Sequence, residues 1–314
     1  MKTENSSQKA LQYKSLFEFL KSNPDEQDCI DYFEKLRWKG NVVSPFDLTS
    51  KVWKCKNNRY MCKNTGKYFN VRTKTELENS KISIRDWLIA VFLFTSPKKG
   101  VSSCQLARYI GITQKSAWFV LHRLRHASNL SSFKEALKDF VEIDETFVGG
   151  KNYNRHWDKK VPRCQGRSRR DKISFWGGVG RETGRLICQV VPNTQQETLK
   201  PIILDNIKEG STIYSDEWKA YDDLGKWFNH QRVNHGIKEY ARGKVHTNSI
   251  EGVWAHLKRM IYGTYHHISR KHAQKYADEF TLRYNTRKYG EQERFDLLLS
   301  STVGKRLTYL KLIS

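Results

Sequence analysis

The stretch FVEIDETFVGG at residues 140–150 decides the fold, because it places acids inside a pattern that is typical of a buried strand. β-Branched and aromatic residues dominate its first part and two glycines end it, so we predict a strand over Phe140–Val148. A charged carboxylate inside such a strand is costly unless something compensates it. Asp144 is therefore the candidate functional acid, with Glu142 and Glu145 of the same strand as alternatives.

Strand and helix patterns alternate after this stretch, which is typical of an α/β domain. A hairpin follows first, and short strands then alternate with helices. The order β-β-β-α-β-α-β-α is close to that of an RNase H-like domain, a mixed sheet flanked by helices. The predicted strands are Ile173–Gly180, Leu186–Val191, Ser211–Ser215 and Gln231–Val233, and the predicted helices are Thr198–Ile207, Glu217–Leu224, 248–262 and 269–287.

The composition of the whole chain points to a polyanionic partner. Its 314 residues include 56 Lys and Arg against 33 Asp and Glu, a formal net charge of +23. Such an excess of positive charge usually indicates binding to nucleic acid or to an anionic membrane surface. No apolar run reaches the roughly 18 residues of a membrane span, and the N-terminus lacks the apolar core of a signal peptide. We therefore expect a cytoplasmic protein that binds nucleic acid and has no membrane partner.

Residues 79–130 predict a helix-turn-helix module that binds DNA. A first helix at Ser103–Tyr109 and a second at Gln114–His126 are separated by a tight turn at Gly111. The exposed start of the second helix would face base edges, and its later basic residues would reach phosphates. An ordinary helical hairpin with solvated basic faces is the alternative. The candidate DNA-binding residues are Gln114, Lys115, Ser116, His122, Arg123 and Arg125.

A second basic element, KKVPRCQGRSRRDK, covers residues 159–172 and carries seven Lys and Arg. A loop of this composition suits contact with DNA phosphates, and a solvated flexible insertion is the alternative. Two basic residues of the predicted helix 248–262 join this group. The candidate phosphate contacts are Lys159, Lys160, Arg163, Arg167, Arg169, Arg170, Lys258 and Arg259.

Residues 41–78 are short, aromatic and turn-rich, which predicts a small β module resembling a zinc ribbon. A zinc ribbon needs two Cys-x2-Cys knuckles. Here the knuckle stretches run from Ser44 to Asp47 and from Cys62 to Thr65, so one good ligand, Cys62, remains. We therefore predict no bound zinc. Aromatic packing then replaces the metal, by Trp53, Tyr60, Tyr68 and Phe69.

Two further acids occupy positions where active sites gather. Asp216 follows the strand Ser211–Ser215 at its carboxyl end, with helix capping as the alternative. Glu251 lies in the first turn of the helix 248–262, where Asn248 three residues earlier also fits a capping box. Lys258 lies seven residues after Glu251, close to two full turns, and so falls on the same helix face. Two-metal phosphoryl chemistry needs carboxylates that converge in this way.

Three blocks carry a family resemblance: VEIDETFVGGK at 141–151, IYSDEWKAY at 213–221 and HTNSIEGVWAHLKR at 246–259. They resemble the catalytic blocks of bacterial DDE transposases of insertion sequences, in the group related to eukaryotic Merlin elements. The resemblance covers nearly the whole chain. It implies the domain series 1–40 helical leader, 41–78 degenerate zinc-ribbon-like module, 79–130 helix-turn-helix, 131–290 RNase H-like catalytic domain and 291–314 C-terminal helical tail.

The resemblance also implies roles for the acids and their neighbours. Asp144, Asp216 and Glu251 match the family's catalytic, metal-binding acids, and Lys258 matches its downstream lysine. Asn248 stays open as the third active-site ligand, because family members differ in the last block. The implied cofactors are two Mg²⁺ or Mn²⁺ ions.

The function implied is cleavage at the ends of the element, followed by attack of the freed 3′-OH on target DNA. The implied partners are double-stranded DNA, at terminal inverted repeats and target, and further copies of the chain when assembled on DNA. The implied location is the nucleoid in the bacterial cytoplasm. Two alternatives stay open: a domesticated DNA-binding regulator with an inactive RNase H-like domain, and a nuclease that cuts without strand transfer.

Overall fold

A computed structural model describes residues 13–150, 152–162, 164, 170–237, 239 and 241–314. The chain divides into one unit formed by the residues up to 127 together with 288–314, and a second unit formed by 128–287. The helices are α1 Leu16–Ser22, α2 Glu26–Trp38, α3 Ile84–Thr95, α4 Ser103–Ile110, α5 Gln114–Ala127, α6 Gln196–Asn206, α7 Asn248–Met260, α8 Ala273–Asn285, α9 Glu291–Ser301 and α10 Tyr309–Ile313. The strands are β1 Val52–Cys55, β2 Arg59–Cys62, β3 Tyr68–Phe69, β4 Phe140–Val148, β5 Ile173–Gly180, β6 Leu186–Val191, β7 Thr212–Ser215, β8 Asn229–Arg232, β9 Ala241–Arg242 and β10 Val245–His246.

The unit 128–287 is built on a mixed five-stranded sheet in the order β6-β5-β4-β7-β8. The antiparallel pairs are β4–β5 and β5–β6, whereas β4–β7 and β7–β8 are parallel. The predicted α/β class is therefore confirmed, and the strand order is compatible with an RNase H-like domain. The first three predicted strands have the predicted bounds.

Helices cover both faces of this sheet and bury separate apolar clusters. One cluster lies between the sheet and α7 and α8, and the other between the sheet, α6 and a 3-10 helix at Lys219–Lys226. Side chains alternate along a strand, so Ile143 of β4 packs in the α6 cluster whereas Glu142 and Asp144 contact α7. This alternation directs both acids towards the helix that carries Glu251.

Two predicted helices of this unit differ from the observed ones. The predicted helix Glu217–Leu224 is instead a 3-10 helix at Lys219–Lys226. Trp218 is its N-cap and lies before the helix, where the Trp218 indole donates to the Thr194 carbonyl oxygen (2.9 Å). The helix predicted over 248–262 changes after Met260 into a π-helix at Ile261–Tyr265. A π-helix inside or after an α-helix is rare and often lies near functional sites.

The other unit packs α2, α3 and α9 around an aromatic cluster. Phe295 of α9 lies 5.3 Å from Phe19 and 5.9 Å from Tyr32, measured between ring centroids. The Tyr32 hydroxyl also donates to Asp296 (2.5 Å). Residues 291–314, predicted to form a helical tail, thus belong to the N-terminal unit and contribute core side chains to it.

The two predicted knuckle stretches lie beside the three-stranded antiparallel sheet β1-β2-β3: the stretch 44–47 precedes β1, and the stretch 62–65 begins at the end of β2. Hydrogen bonds join them: the Asn64 side-chain amide donates to Asp47 (2.8 Å), and its backbone N–H donates to the Ser50 hydroxyl (3.0 Å). Burial raises the pKa of the Cys62 thiol, but hydrogen bonds from the hydroxyls of Ser44, Ser50 and Thr65 outweigh it and lower that pKa to about 6. Polar contacts therefore connect the two stretches.

Aromatic packing of this sheet involves half of the predicted side chains. Tyr60 and Phe69 pack against each other and against Trp38 of α2. Trp53 and Tyr68, in contrast, are exposed. The prediction is wrong for these two because strand alternation directs them away from α2.

Helices α4 and α5 are joined by a tight turn with Gly111 at φ +67°, a left-handed conformation that favours glycine. The Thr113 hydroxyl accepts from the Ser116 N–H (3.2 Å) and caps the second helix. The predicted inward residues Leu106, Ala107, Ala117, Val120, Leu121 and Leu124 are buried, and Ile110 is half-buried. No helix in the described ranges has the length and apolar character needed to cross a membrane.

Candidate active site

A cavity of about 510 Å³ in the unit 128–287 is lined by carboxylates from three elements. Asp144 comes from the middle of β4, Asp216 follows β7 directly, and Glu251 lies in the first turn of α7. Lys258 lies on the same face of α7 as Glu251 and lines the cavity too. The structure thus brings together all four of these predicted side chains. The complete lining is Asp144, Glu145, Thr146, Phe147, Lys172, Asp216, Thr247, Glu251, Trp254, Ala255 and Lys258.

Asp144 is held by a tryptophan that sequence reasoning did not assign to the site. The Trp254 indole N–H donates to Asp144 Oδ2 (3.1 Å), while its ring lies in the buried cluster under α7. Gly177 of β5 pairs with Asp144 in the sheet register. A Cβ at Gly177 would lie 2.6 Å from the Trp254 ring, so a glycine is needed there. The glycine pair inside β5 is the sequence signal for this close approach.

We expect Gly177→Ala to displace the Trp254 ring and break its hydrogen bond to Asp144. Overpacking of this kind should lower the free energy of unfolding by about 1–3 kcal/mol. If Asp144 binds a metal ion, as the family resemblance implies, loss of its partner should raise the Mg²⁺ concentration needed for half-maximal DNA cleavage by about 10- to 100-fold. A titration of cleavage against Mg²⁺ measures this, with Gly252→Ala as control, because a Cβ there meets open space. Trp254→Phe keeps the ring but lacks the N–H; an unchanged Mg²⁺ requirement in both site variants would contradict the role of Trp254.

Asp216 and Glu251 are each oriented by a local hydrogen bond. Asp216 Oδ1 accepts from the Trp218 backbone N–H (3.0 Å), but the N-cap of the following 3-10 helix is Trp218, so Asp216 does not cap that helix. Glu251 Oε1 accepts from the Thr247 hydroxyl (3.1 Å). Thr247 is the N-cap of α7, so the predicted capping box starting at Asn248 is wrong. Asn248 is the exposed first residue of α7 and does not belong to the described cavity lining.

Glu142, one of the alternative acids of β4, is fully buried and holds the start of α7 against the sheet. Its carboxylate accepts from the backbone N–H groups of Ser249 (2.8 Å) and Ile250 (3.0 Å) and from the Ser249 hydroxyl (2.9 Å). Arg181 Nε donates to the same carboxylate (2.6 Å), and His246 Nδ1 lies 3.4 Å from it. A buried anion at the positive end of a helix is favourable. Glu142 thus fixes the turn that carries Glu251.

The third acid of β4, Glu145, also lines the cavity. It accepts a hydrogen bond from the hydroxyl of Tyr221, a buried residue of the 3-10 helix. Burial and the charges of Glu145 and Asp144 raise the pKa of Tyr221 well above its ordinary value. Tyr221 therefore stays a neutral hydrogen-bond donor that fixes Glu145.

The donor set fits hard divalent cations. Its four carboxylates supply oxygen ligands, the kind that Mg²⁺ and Mn²⁺ prefer, and the lining contains no His or Cys. Within the described residues, no three His, Cys, Asp or Glu side chains form a ready-made metal cage. The acids share a cavity wall without converging on one point, and Lys172 and Lys258 add two cations to it.

The second half of α5 corrects part of the predicted DNA contacts. His122, Arg123 and Arg125 are buried, with Arg125 only 1% exposed, so these three cannot reach phosphates. Arg123 instead donates to the backbone carbonyl oxygens of Leu307 (3.2 Å) and Glu78 (3.3 Å). The His122 ring packs on Trp118, with 4.3 Å between centroids.

The remaining predicted contacts lie at the surface or outside the described residues. Gln114 and Lys115 are exposed at the start of α5, and Ser116 is half-buried. Lys159, Lys160, Arg170 and Arg259 are exposed, and Lys258 is half-buried in the cavity wall. Arg163, Arg167 and Arg169 lie outside the described residues.

Comparison with known proteins identifies the family. Residues 136–285 match the ISXO2-like transposase domain. An uncharacterized transposase-like protein of Haemophilus influenzae is 36% identical over 97 residues, which cover 31% of this chain and 77% of that protein. The chain belongs to the ISXO2-like transposases of insertion sequences. The transposase is also 27% identical over 277 residues to an uncharacterized protein in transposable element ISH50 of Halobacterium salinarum, covering 84% of this chain and 92% of that protein.

Proposed function

We propose that this transposase cuts DNA at the ends of its insertion sequence and joins the freed 3′ ends to target DNA. One observation carries the proposal: Asp144, Asp216 and Glu251, from three separate elements, line a single cavity with Lys258. Two-metal phosphoryl transfer needs several carboxylates that converge on the ions, and this cavity supplies three that could close on them when metal and DNA bind. The presence of all three acids also argues against an inactive, domesticated regulator.

The acids Asp144, Asp216 and Glu251 would hold two Mg²⁺ or Mn²⁺ ions. Such ions, when bound, favour deprotonation of the attacking water and stabilise the leaving 3′-oxygen. Glu251 is the better candidate for the third ligand than Asn248, since its carboxylate lines the cavity. Trp254, Thr247 and the Trp218 N–H orient the three acids.

Lys172 and Lys258 would bind the phosphates on either side of the scissile bond. In cleavage, the water oxygen bonds to phosphorus as the P–O3′ bond breaks, leaving a 3′-OH. In strand transfer, that 3′-OH bonds to a target phosphorus and the target's own P–O3′ bond breaks. The two lysines suit both steps because each involves a phosphodiester in the same cavity.

The other parts of the chain would recognise DNA. We assign α4 and α5 to a helix-turn-helix whose exposed start, at Gln114 and Lys115, faces base edges. The exposed Lys159, Lys160, Arg170 and Arg259 would contact phosphates. We assign the sheet β1-β2-β3 to a zinc-ribbon-like module without zinc. We assign the unit 128–287 to the RNase H-like catalytic domain. Because an element has two ends, we expect several copies of the chain to assemble on DNA. This assembly would take place in the cytoplasm, at the nucleoid.

A labelled duplex carrying the element's own end tests the proposal. The wild-type chain should nick it at the end with Mg²⁺ or Mn²⁺, stop when EDTA is added, and join the product to a target plasmid. Binding without cleavage in either metal would identify a regulator instead. Cleavage without joined products would identify a nuclease.

A further inference from the structure

The outer face of the sheet β1-β2-β3 carries a row of exposed apolar side chains. Trp53 lies opposite Met61, and Met61 lies opposite Tyr68, so the three form one line across the strands. Trp53 is 49% exposed and Tyr68 is 59% exposed, with Met61 half-buried between them. Because neighbouring strands are about 4.8 Å apart, the two aromatic side chains start roughly 10 Å from each other.

The opposite face of the sheet packs against α2 and so attaches the sheet to the rest of its unit. Tyr60 and Phe69 stack there with centroids 5.7 Å apart, and the Tyr60 hydroxyl donates to Glu34 of α2 (2.7 Å). The outer row therefore lies on a supported sheet and adds little to the core. A contiguous row of exposed apolar side chains on one sheet face is a candidate binding surface.

The residues near this row are strongly basic, which indicates the class of partner that the face would bind. Residues 51–67 contain six Lys and Arg and no Asp or Glu, and all six basic side chains are exposed. This charge favours a polyanion and disfavours a second copy of the same face. Arg59 lies on the same face as the row, whereas Lys54 pairs with Tyr60 on the opposite face and Lys67 lies over the Phe46 ring. The basic residues are Lys51, Lys54, Lys56, Arg59, Lys63 and Lys67.

We propose that this face, the Trp53–Tyr68 platform, binds unpaired nucleotides of DNA. The flat rings of Trp53 and Tyr68 stack on two bases, and the surrounding cations bind the phosphates. Bases inside a duplex have both faces covered by their neighbours, so a stacking row of this kind needs unpaired bases. The proposal rests on the proposed function only in taking DNA as the polymer, and it gives the transposase a place to hold strands that open near an element end.

Fluorescence anisotropy of labelled oligonucleotides with the full chain tests the platform. The probes are an oligothymidylate of about 12 nucleotides, a duplex of the same length and the corresponding oligouridylate, all in EDTA so that binding is measured without cleavage. Wild type should bind the single DNA strand, and Trp53→Ala and Tyr68→Ala should each weaken that binding about tenfold, or about 1.4 kcal/mol. Trp53→Phe, which keeps a stacking ring, should restore most of the loss.

Phe17→Ala is the matched control, because Phe17 is an aromatic residue of the same unit, 67% exposed and outside the sheet. It should bind the single strand as wild type does. The platform proposal would be overturned if wild type and the Trp53→Ala/Tyr68→Ala double variant bound the single DNA strand equally. It would also be overturned if wild type bound the oligouridylate more tightly than the oligothymidylate, or if the double variant lost affinity for the duplex alone. These results are independent of catalysis: a chain that binds single strands through the platform but never cuts contradicts only the proposed function.

Discussion

Replacing Asp144 by Asn should lower the rate of metal-dependent DNA-end cleavage by about a thousandfold or more, with DNA binding retained. A bound metal ion contributes several kcal/mol to phosphoryl transfer, and each 1.36 kcal/mol corresponds to about a tenfold change in rate. The amide of Asn can still accept the Trp254 N–H, which lies 3.1 Å from the carboxylate. The substitution therefore removes the charge and keeps the packing.

The same logic extends to the other two acids. Asp216→Asn retains an acceptor for the Trp218 N–H, and Glu251→Gln retains one for the Thr247 hydroxyl. Both variants should bind the labelled end normally and fail to cut it. Glu182→Gln is the control, because Glu182 is exposed and lies outside the cavity lining. Cleavage at the wild-type rate by any of the three acid variants would remove that acid from the site.

Asn248→Ala decides between the two candidates for the third ligand. Since Glu251 belongs to the described cavity lining and Asn248 does not, Asn248→Ala should cut at close to the wild-type rate. Loss of cleavage in Asn248→Ala but not in Glu251→Gln would move the third ligand to Asn248.

Thermal unfolding gives a readout of the metal without catalysis. An ion that binds the folded state but not the unfolded state raises the unfolding temperature. Mg²⁺ or Mn²⁺ should therefore stabilise wild type and Glu182→Gln, and Asp144→Asn should lose that response. An equal rise in Asp144→Asn would show that the ions bind elsewhere.

The unit 128–287 was largely predictable because its signals are local. Apolar strands bounded by glycines predict β4, β5 and β6 with their observed ends, and helical spacing predicts α6, α7 and α8 within a few residues. Asp144 was singled out by the cost of a charge inside an apolar strand, and Asp216 and Glu251 by their places at a strand end and in the first turn of a helix. That they line one cavity follows from the parallel pairing of β4 and β7 and from the way α7 packs on the sheet.

The features that were missed depend on contacts between distant residues. The pattern of α5 places His122, Arg123 and Arg125 on its polar side, and only the packing of the unit shows that Arg123 reaches the carbonyl oxygens of residues 78 and 307. Likewise, alternation along β4 puts Glu142 and Asp144 on one face, but does not say which of them meets the helix start. Trp254 has the spacing of a core residue, and its contact with Asp144 depends on Gly177 in another strand.

Replacing Glu142 by Ala should lower the free energy of unfolding by about 3–5 kcal/mol, the usual cost of removing one partner of a buried ion pair. Glu142 is 0% exposed, and its removal leaves Arg181 Nε and the N–H groups of Ser249 and Ile250 without their acceptor. Glu142→Gln keeps an acceptor oxygen and loses the charge, so its cost should be smaller, about 1.5–3 kcal/mol. Urea denaturation of the full chain, monitored by near-ultraviolet circular dichroism, measures the free energy of unfolding of both variants.

Glu182→Ala provides the comparison, because Glu182 is an exposed acid next to Arg181 in the chain and its loss should cost little. A double-mutant cycle with Arg181→Ala then separates the ion pair from the helix contacts. Residues in one network should show a coupling free energy of about 0.5–3 kcal/mol. Glu142→Ala and Glu182→Ala unfolding at the same urea concentration would rule out a structural role for the Glu142 carboxylate.

The folded fraction of Glu142→Gln should also require more Mg²⁺ for cleavage, although Glu142 lies outside the cavity lining. Its carboxylate holds Ser249 and Ile250, and the residues on either side of that pair include Thr247 and Glu251. A looser helix start lets the Glu251 carboxylate move away from Asp144, and misplacement of a metal ligand weakens binding of the ion. A destabilised variant whose Mg²⁺ requirement matches wild type would mean that Glu142 supports the fold alone; a raised requirement would mean that the same buried charge sets the geometry of the active site.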